Sequence, residues 1–267
     1  MLKDITIGQF FPGSSFMHKL DPRMKLLLTL LYIIALFLVP RFLGFLIMAV
    51  LIFMVVCSSG VSLRIVFRGL KPLIFIIVFT AFFNILYGGG EPVFPGVAWL
   101  SWIRTEGVRN ALFMIVRIVL LILGTSYLTY TTSPVMLTDA LERVFKPLKV
   151  ICFPVHELAM MMTIALRFIP TLIDETDKIM NAQKARGADF ETGNIIRRAK
   201  ALIPILIPLL VSAFRRAEEL ADAMECRCYH GGEGRTRYKV YSFGWRDWVA
   251  LGIMAAAMTG IILMRVF

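Results

Sequence analysis

Long apolar runs separated by short polar breaks dominate the first half of the chain. The first run extends from Leu26 to Cys57 and is interrupted by Pro40-Arg41. Each half is shorter than the roughly 20 residues that a helix needs to cross a bilayer, and the whole run is too long for one helix. We therefore expect two membrane helices joined by a tight hairpin, with Arg41 reaching toward the lipid headgroups.

Three further runs complete the apolar pattern. They extend from Leu73 to Tyr87, from about Val108 to Tyr130 and from about Trp248 to Met264. Since runs of this length and composition are typical of membrane helices, the sequence predicts an all-α integral membrane protein with about five transmembrane helices.

The distribution of Lys and Arg predicts the orientation in the cell membrane. The N-terminal segment is basic, and the loop after the second run carries Arg64, Arg68 and Lys71 without any acid, whereas the loop from 88 to 109 is nearly neutral. Basic loops stay on the cytoplasmic side. We expect a cytoplasmic N-terminal segment (1–25), a four-helix transmembrane region (26–130), a cytoplasmic region (131–247) and a fifth transmembrane helix (248–267), with the C-terminus outside.

The predicted cytoplasmic region contains two long helical segments. The first reads from about His156 to Arg186 and the second from about Thr192 to Tyr229. The apolar middle of the second segment carries Pro204 and Pro208, so we expect a kinked helix that lies on the inner side of the membrane without crossing it. A stripe of small and apolar residues is predicted to face one partner helix, at Phe214, Ala217, Ala221, Met224 and Cys228.

Composition and charge narrow the class of protein. Hydrophobic residues make up 58% of the chain and charged residues only 18%, against about a quarter in an ordinary soluble domain. A disordered chain and a plain soluble enzyme are thereby disfavoured. The net charge of +11 would suggest nucleic acid in a soluble protein, but in a membrane protein it matches cytoplasmic flanks facing anionic lipid. We expect no nucleic-acid partner.

Two tripeptides are the candidate functional residues. Ala185-Arg186-Gly187 closes the first cytoplasmic helix and Cys226-Arg227-Cys228 closes the second. An Arg in the last helical turn is favoured by the helix dipole, and Gly187 suits a helix end. Two such arginines between small residues also suit docking to carboxylates of a partner. The pattern alone leaves capping and docking open.

Other chemistry finds little support in the sequence. Cys226 and Cys228 could form half of a metal site, but no second Cys/His pair stands at metal-binding spacing, and we expect neither a metal nor a cofactor. The chain lacks the G-x-x-x-x-G-K-[ST] loop that cradles ATP phosphates. Arg117 in the fourth run is either functional or a structural residue that snorkels or bonds to Asn84.

Two stretches and the two Arg tripeptides carry a resemblance to a known family. The stretches are FPGSSFMHKLDPRMKL, from Phe11 to Leu26, and the segment from Leu206 to Glu225. They resemble the T component of energy-coupling factor (ECF) transporters, and the first is similar to the opening of that family. The resemblance covers essentially the whole chain. The family has a small residue on each side of the arginine at both helix ends. This chain keeps that pattern at Ala185-Arg186-Gly187 and differs at the second site, where cysteines flank Arg227.

The resemblance implies a non-catalytic scaffold and energy-coupling subunit. Its coupling helices would hold a membrane-embedded substrate-binding S component, and the Arg tripeptides would seat in two ATP-binding cassette ATPases, for uptake of a vitamin or other micronutrient. Two alternatives are a conventional multi-span permease with its own substrate path and a membrane-embedded enzyme. The apolar spans and the lack of a catalytic constellation disfavour both alternatives.

Overall fold

The computed structural model describes residues 10–60, 69–89, 104–147, 154–190, 194–232 and 241–266, and regular structure there is α-helical apart from short turns. The helices are α1 (Pro22–Leu38), α2 (Phe42–Ser59), α3 (Ile74–Tyr87), α4 (Thr105–Thr131), α5 (Pro134–Val144), α6 (Val155–Ala185), α7 (Ile195–Glu225) and α8 (Trp245–Val266). The all-α prediction is confirmed. Arg64, Arg68 and most of the predicted outer loop lie outside the described residues.

Four of these helices are long and apolar enough to cross a membrane: α2, α4, α6 and α8. The helices α1 and α3 form where two further spans were predicted, but they have only 17 and 14 residues. The sequence places α6 on the cytoplasmic side, although its first half is as apolar as a span. The crossing of α1 and α3, the position of α6 and the orientation of both termini stay predictions.

The chain divides into two compact units. The membrane unit comprises the described residues from 10 to 140 and from 241 to 266, and the second unit comprises those from 141 to 232. In the membrane unit, α1 packs against α4 and α8, α2 packs against the same two helices, and α3 packs against α4. Leu36, Met48 and Ile261 are its most completely buried large side chains.

Polar groups fasten the two ends of the membrane unit. Asp21 caps α1 by accepting the backbone N–H of Arg23, and Pro22 fits the first helical position. The buried Asp247 carboxylate accepts the backbone N–H of Asp21 at 2.9 Å and that of Gly244 at 2.8 Å. The buried Lys25 donates to the carbonyl of Thr131 at the end of α4, at 2.8 Å. The DPRMK part of the resemblance thus has a structural role.

The loop before α1 is organised around His18. Its Nδ1 lies 2.6 Å from the Ser15 hydroxyl, and its Nε2 lies 2.8 Å from the Phe11 carbonyl. A carbonyl can only accept, so Nε2 carries a proton and Nδ1 can accept from Ser15. A Cβ at Gly13 would press on the His18 ring, at 2.8 Å from its nearest atom. The PGSS-x-x-H spacing therefore builds a closed loop in front of the first helix.

Glycines allow the closest helix contacts of the membrane unit. Tyr32 of α1 lies across Gly124 of α4 and donates to the carbonyl of Leu120 at 2.7 Å. At the other end of α4, Gly107 faces Gly88, with no room for a Cβ between the two backbones. Small residues at such crossings let membrane helices approach closely.

The outer surface of this unit is apolar. Phe75 is 77% exposed, and every residue of α3 is at least partly exposed. Leu30, Phe37, Leu46 and Phe53 are exposed on α1 and α2. Exposed apolar surface of this extent is typical of helices that face lipid.

We predict that Gly124→Val destabilises the membrane unit. The added side chain would collide with the Tyr32 ring, and overpacking of this kind typically costs about 1–3 kcal/mol. The melting temperature of the detergent-solubilised protein measures the effect. Gly252→Ala in α8 is the control, since nothing lies within 4 Å of its added Cβ. Equal melting temperatures for Gly124→Val and wild type would contradict this packing.

Candidate functional site: two arginine-bearing helix ends

The two predicted Arg tripeptides end two long helices of the second unit. The helices α6 and α7 each have 31 residues. They pack against each other, and two hydrogen bonds show their relative direction. Gln183 near the end of α6 reaches Pro204 near the start of α7, whereas Met160 near the start of α6 reaches Tyr229 beyond the end of α7. The pair is therefore antiparallel.

This arrangement places Arg186 and Arg227 at opposite ends of the helix pair. Arg186 follows Gln183, which lies level with Pro204, and Arg227 lies at the far end of α7. At 1.5 Å per helical residue the two arginines are about 40 Å apart. The structure does not bring the two tripeptides together, and they form two separate sites on one scaffold.

The end of α6 is a Schellman turn. The N–H of Ala188 donates to the carbonyl of Gln183 at 3.0 Å, and the N–H of Gly187 donates to that of Lys184 at 3.0 Å. Gly187 has a φ of +86°, in the left-handed region where glycine meets no steric penalty. Arg186 is the C-cap residue, immediately before the reversal of the chain.

The end of α7 repeats the same turn. The N–H of Tyr229 donates to the carbonyl of Met224 at 3.1 Å, and that of Cys228 donates to Glu225 at 2.8 Å. Cys228 stands where Gly187 stands in the first turn, with a φ of +55°, the one positive φ at a non-glycine residue in the described ranges. Arg227 thus occupies the same C-cap position as Arg186.

Both arginines project from these turns. Arg186, Arg227, Cys226 and Cys228 are exposed. Within the described part of the chain, neither guanidinium takes part in a hydrogen bond or an ion pair, so the capping is done by the backbone and not by the Arg side chains. Arg227 also borders a cavity of about 430 Å³. Its walls come from both helices, at Met160, Ile164, Leu220 and Met224.

The two helices meet through polar residues that the sequence patterns do not single out. Glu175 of α6 accepts hydrogen bonds from Ser212 and Arg216 of α7. In the same unit, Nδ1 of His156 in α6 lies 3.0 Å from a carboxylate oxygen of Glu142 in α5. No local sequence signal marks the first contact, since Ser212 and Arg216 meet Glu175 only because α6 and α7 fold back against each other.

The predicted contact stripe on α7 does not face α6. Phe214, Ala217, Ala221 and Cys228 are exposed, and only Met224 of that stripe is partly covered. The covered line runs instead through Ile205, Leu209, Ser212, Arg216 and Leu220. The contact with α6 instead includes polar side chains, and the partner helix expected for the stripe stays a prediction.

Other residues noted in the sequence have local roles or no partners. Arg117 lies among aromatic rings, with its guanidinium 5.2 Å from the centre of the Phe113 ring and 5.6 Å from that of Phe37. Asn84 instead donates to the carbonyl of Thr80 in its own helix, at 2.9 Å. Among the described residues no group of three or more His, Cys, Asp or Glu side chains is placed to hold a metal.

Comparison with known proteins places these features in a family. Residues 13–238 match the family model CbiQ, described as cobalt transport protein. The chain belongs to this family. It is 53% identical over 269 residues to the energy-coupling factor transporter transmembrane protein EcfT of Ruminiclostridium cellulolyticum, covering 99% of this chain and 98% of that protein. The EcfT proteins of Clostridium kluyveri (54%; 94% and 93% covered) and Thermosediminibacter oceani (50%; 95% and 96% covered) are similar over nearly their whole lengths.

The resemblance seen in the sequence is thereby confirmed, and this chain is a transmembrane component of an energy-coupling factor transporter. The match covers α1 to α7 and so includes both helix ends with their arginines. The family membership does not by itself assign a role to the two tripeptides.

We predict opposite effects of residue changes at equivalent positions of the two turns. Cys228→Gly removes the steric cost of a side chain in the left-handed region and should stabilise the end of α7 by about 0.5–1 kcal/mol, whereas Gly187→Ala should destabilise the end of α6 by about 1 kcal/mol.

Amide hydrogen exchange of the last helical turns measures both effects locally, since 1.4 kcal/mol corresponds to tenfold in rate. Exchange at the end of α7 should slow about two- to fivefold in Cys228→Gly, while α6 remains unchanged in that variant. Faster exchange in Cys228→Gly would contradict the left-handed turn.

Proposed function

We propose that this chain is the scaffold and energy-coupling subunit that links two ATP-binding cassette ATPases to a membrane-embedded S component. In this role it binds no nucleotide itself and catalyses no reaction. The imported substrate is a vitamin or another micronutrient, selected by the S component. The subunit resides in the cell membrane with a cytoplasmic N-terminus and an external C-terminus.

The observation that carries the proposal is the pair of equivalent arginine turns. Each presents an exposed guanidinium at a C-cap whose backbone carbonyls are already satisfied, so the side chain is available to a partner. Two turns of the same geometry at opposite ends of one helix pair suit two similar partners, as two ATPase subunits would be. A planar guanidinium favours a carboxylate on each of them.

The apolar face of α7 supports the contact with the S component. Its large side chains are about half exposed or more, at Leu202, Ile203, Leu206, Ile207, Leu210, Val211 and Phe214. An exposed apolar face of this length requires a membrane or protein partner. In the proposed complex the first residues of this face lie against the membrane-embedded S component and the adjoining lipid bilayer.

We predict that Arg186→Glu and Arg227→Glu each weaken ATPase association and abolish substrate uptake. Loss of a desolvated charge pair typically costs 2–5 kcal/mol, which corresponds to about 30-fold or more in affinity. The double variant should lose the ATPases, because two linked contacts strengthen each other through effective concentration. Co-purification of tagged protein with the ATPases measures the loss.

Arg215→Glu is the matched control, since it reverses an exposed charge on α7 away from the turn. It should retain wild-type ATPase binding, and S-component binding should persist in all variants. Undiminished ATPase capture by the Arg186→Glu/Arg227→Glu protein would overturn the docking proposal. Substrate transport by the purified chain alone would support the permease alternative instead.

We also predict the topology that the proposal requires. Single-cysteine proteins, one retaining Cys226 and one carrying Val266→Cys, are treated with a membrane-impermeant maleimide in ATPase-free vesicles of known orientation. Cys226 should react only from the cytoplasmic side and Val266→Cys only from outside. Labelling of both from the same side would contradict an odd number of membrane crossings between them.

A further inference from the structure

A three-residue contact joins α6 and α7 midway between the two arginines. One carboxylate oxygen of Glu175 accepts from Nη2 of Arg216 at 2.9 Å, and the other accepts from the hydroxyl of Ser212. We call these three residues the Glu175 clamp. Each oxygen has its own donor on α7, so the contact resists both sliding and separation of the helices more than a single bond would.

The clamp is partly withdrawn from water. The Arg216 and Glu175 side chains are 35% and 23% exposed. The hydrogen bond from Ser212 lowers the pKa of Glu175, and the hydrogen bond and charge of Arg216 lower it further, against the opposing effect of desolvation. Glu175 is therefore ionised at neutral pH, and charge-assisted hydrogen bonds are about twice as strong as neutral ones.

The clamp is the same number of residues from Arg186 on α6 as from Arg227 on α7. Glu175 precedes Arg186 by 11 residues, and Arg216 precedes Arg227 by 11 residues. Eleven residues are just over three helical turns and span about 16 Å. Each docking arginine therefore lies at the same distance from the clamp and near the same side of its helix as the clamp residue.

Two further polar contacts between the described parts of these helices are weaker. Near the Arg186 end, the Gln183 amide reaches the Pro204 carbonyl at 3.5 Å. This carbonyl lacks its helical donor, because residue 208 is a proline. Near the Arg227 end, the Tyr229 hydroxyl donates to the sulfur of Met160 at 3.1 Å. One is long and the other has a weak acceptor, so neither matches the charged clamp in fixing the register of the helices.

We propose that Glu175, Ser212 and Arg216 are positioning residues that set the spacing of Arg186 and Arg227 for simultaneous engagement of two ATPases. The inference rests on the proposed docking function. Linking two binding sites raises the overall affinity only when their spacing matches both partners. The increase is largest for a rigid scaffold with the correct spacing. The clamp supplies this rigidity from the middle of the helix pair.

The first test needs no ATPase. The first variant lacks the native cysteines and carries spin labels at Asn181→Cys and Glu225→Cys. Pulsed electron paramagnetic resonance then measures the distance between the two helix ends. One narrow distribution is expected for the otherwise native chain, and a distribution at least twofold broader is expected for Glu175→Gln and Glu175→Ala. The exchanged pair Glu175→Arg/Arg216→Glu should restore much of the narrowness, whereas Arg215→Gln, on the exposed side, should leave it unchanged. Equal widths in all variants would overturn the proposal.

The second test is a cycle of ATPase affinities with purified ATPases. In the protein with both arginines, Glu175→Gln should weaken binding about tenfold. In an Arg227→Glu protein, where only one contact remains, the same change should alter affinity less than twofold, because spacing no longer matters. An equal effect of Glu175→Gln in both backgrounds would indicate general damage and overturn the spacing role. If Arg227→Glu itself has no effect, the proposed docking fails, while the spin-label result still decides whether the clamp fixes the helices.

Discussion

The Asp247 carboxylate joins the beginning and the end of the membrane unit. Its two oxygens accept backbone N–H groups from Asp21 before α1 and from Gly244 before α8. Asp247 is only 4% exposed, so its charge is stabilised by these donors and by the nearby Lys25 ammonium rather than by water. An ion buried in this way is tolerated only when its hydrogen bonds are made, which fixes α1 against α8. In turn, α4 packs on α1, α2 packs on α4 and α8, and α3 packs on α4.

The unit that contains α6 and α7 is stabilised differently. Ala159 of α6 and Ile205 of α7 are its buried hydrophobic residues in the described ranges. With so little apolar burial, its geometry depends on a few directional contacts, above all that of Glu175 with Ser212 and Arg216. Such a pair of helices is incomplete as an isolated structure, because the apolar face of α7 remains uncovered. An exposed apolar face of this kind is typical of a surface that a membrane or another protein covers.

The sequence predicts those parts of this protein that depend on local periodicity. Apolar run lengths identified α1 to α4 and α8 and the helix break at Pro40-Arg41, and helical periodicity identified both long helices after residue 150, whereas α5 was not predicted. Run length alone does not decide whether α6 crosses the membrane, since it has an apolar first half followed by a charged second half. The stripe through Phe214 likewise lies on a face of α7 that α6 does not cover. Periodicity identifies a face, but not whether a helix or a separate partner covers it.

Contacts between polar residues that are far apart in the chain could not be predicted from the sequence. Nothing local indicates that Asp247 bonds to Asp21, or Glu175 to Ser212, because these pairs depend on how the chain folds back. The Arg tripeptides were recognised, yet their shared geometry was not, since Cys228 hides the likeness to Gly187. Glycine suggests a left-handed residue to a reader of sequence, whereas cysteine does not.

The left-handed backbone conformation of Cys228 shows what determines the end of α7. Gly187 adopts this conformation freely, but a cysteine in it is strained by about 1 kcal/mol, and the turn nevertheless forms with the same pair of backbone hydrogen bonds. Nothing in the side chain of Cys228 favours that turn, so the backbone bonds from Cys228 and Tyr229 to α7 must outweigh the strain. The position of Arg227 is thus set by main-chain geometry common to both helix ends. Different flanking side chains can therefore present the two arginines in the same way.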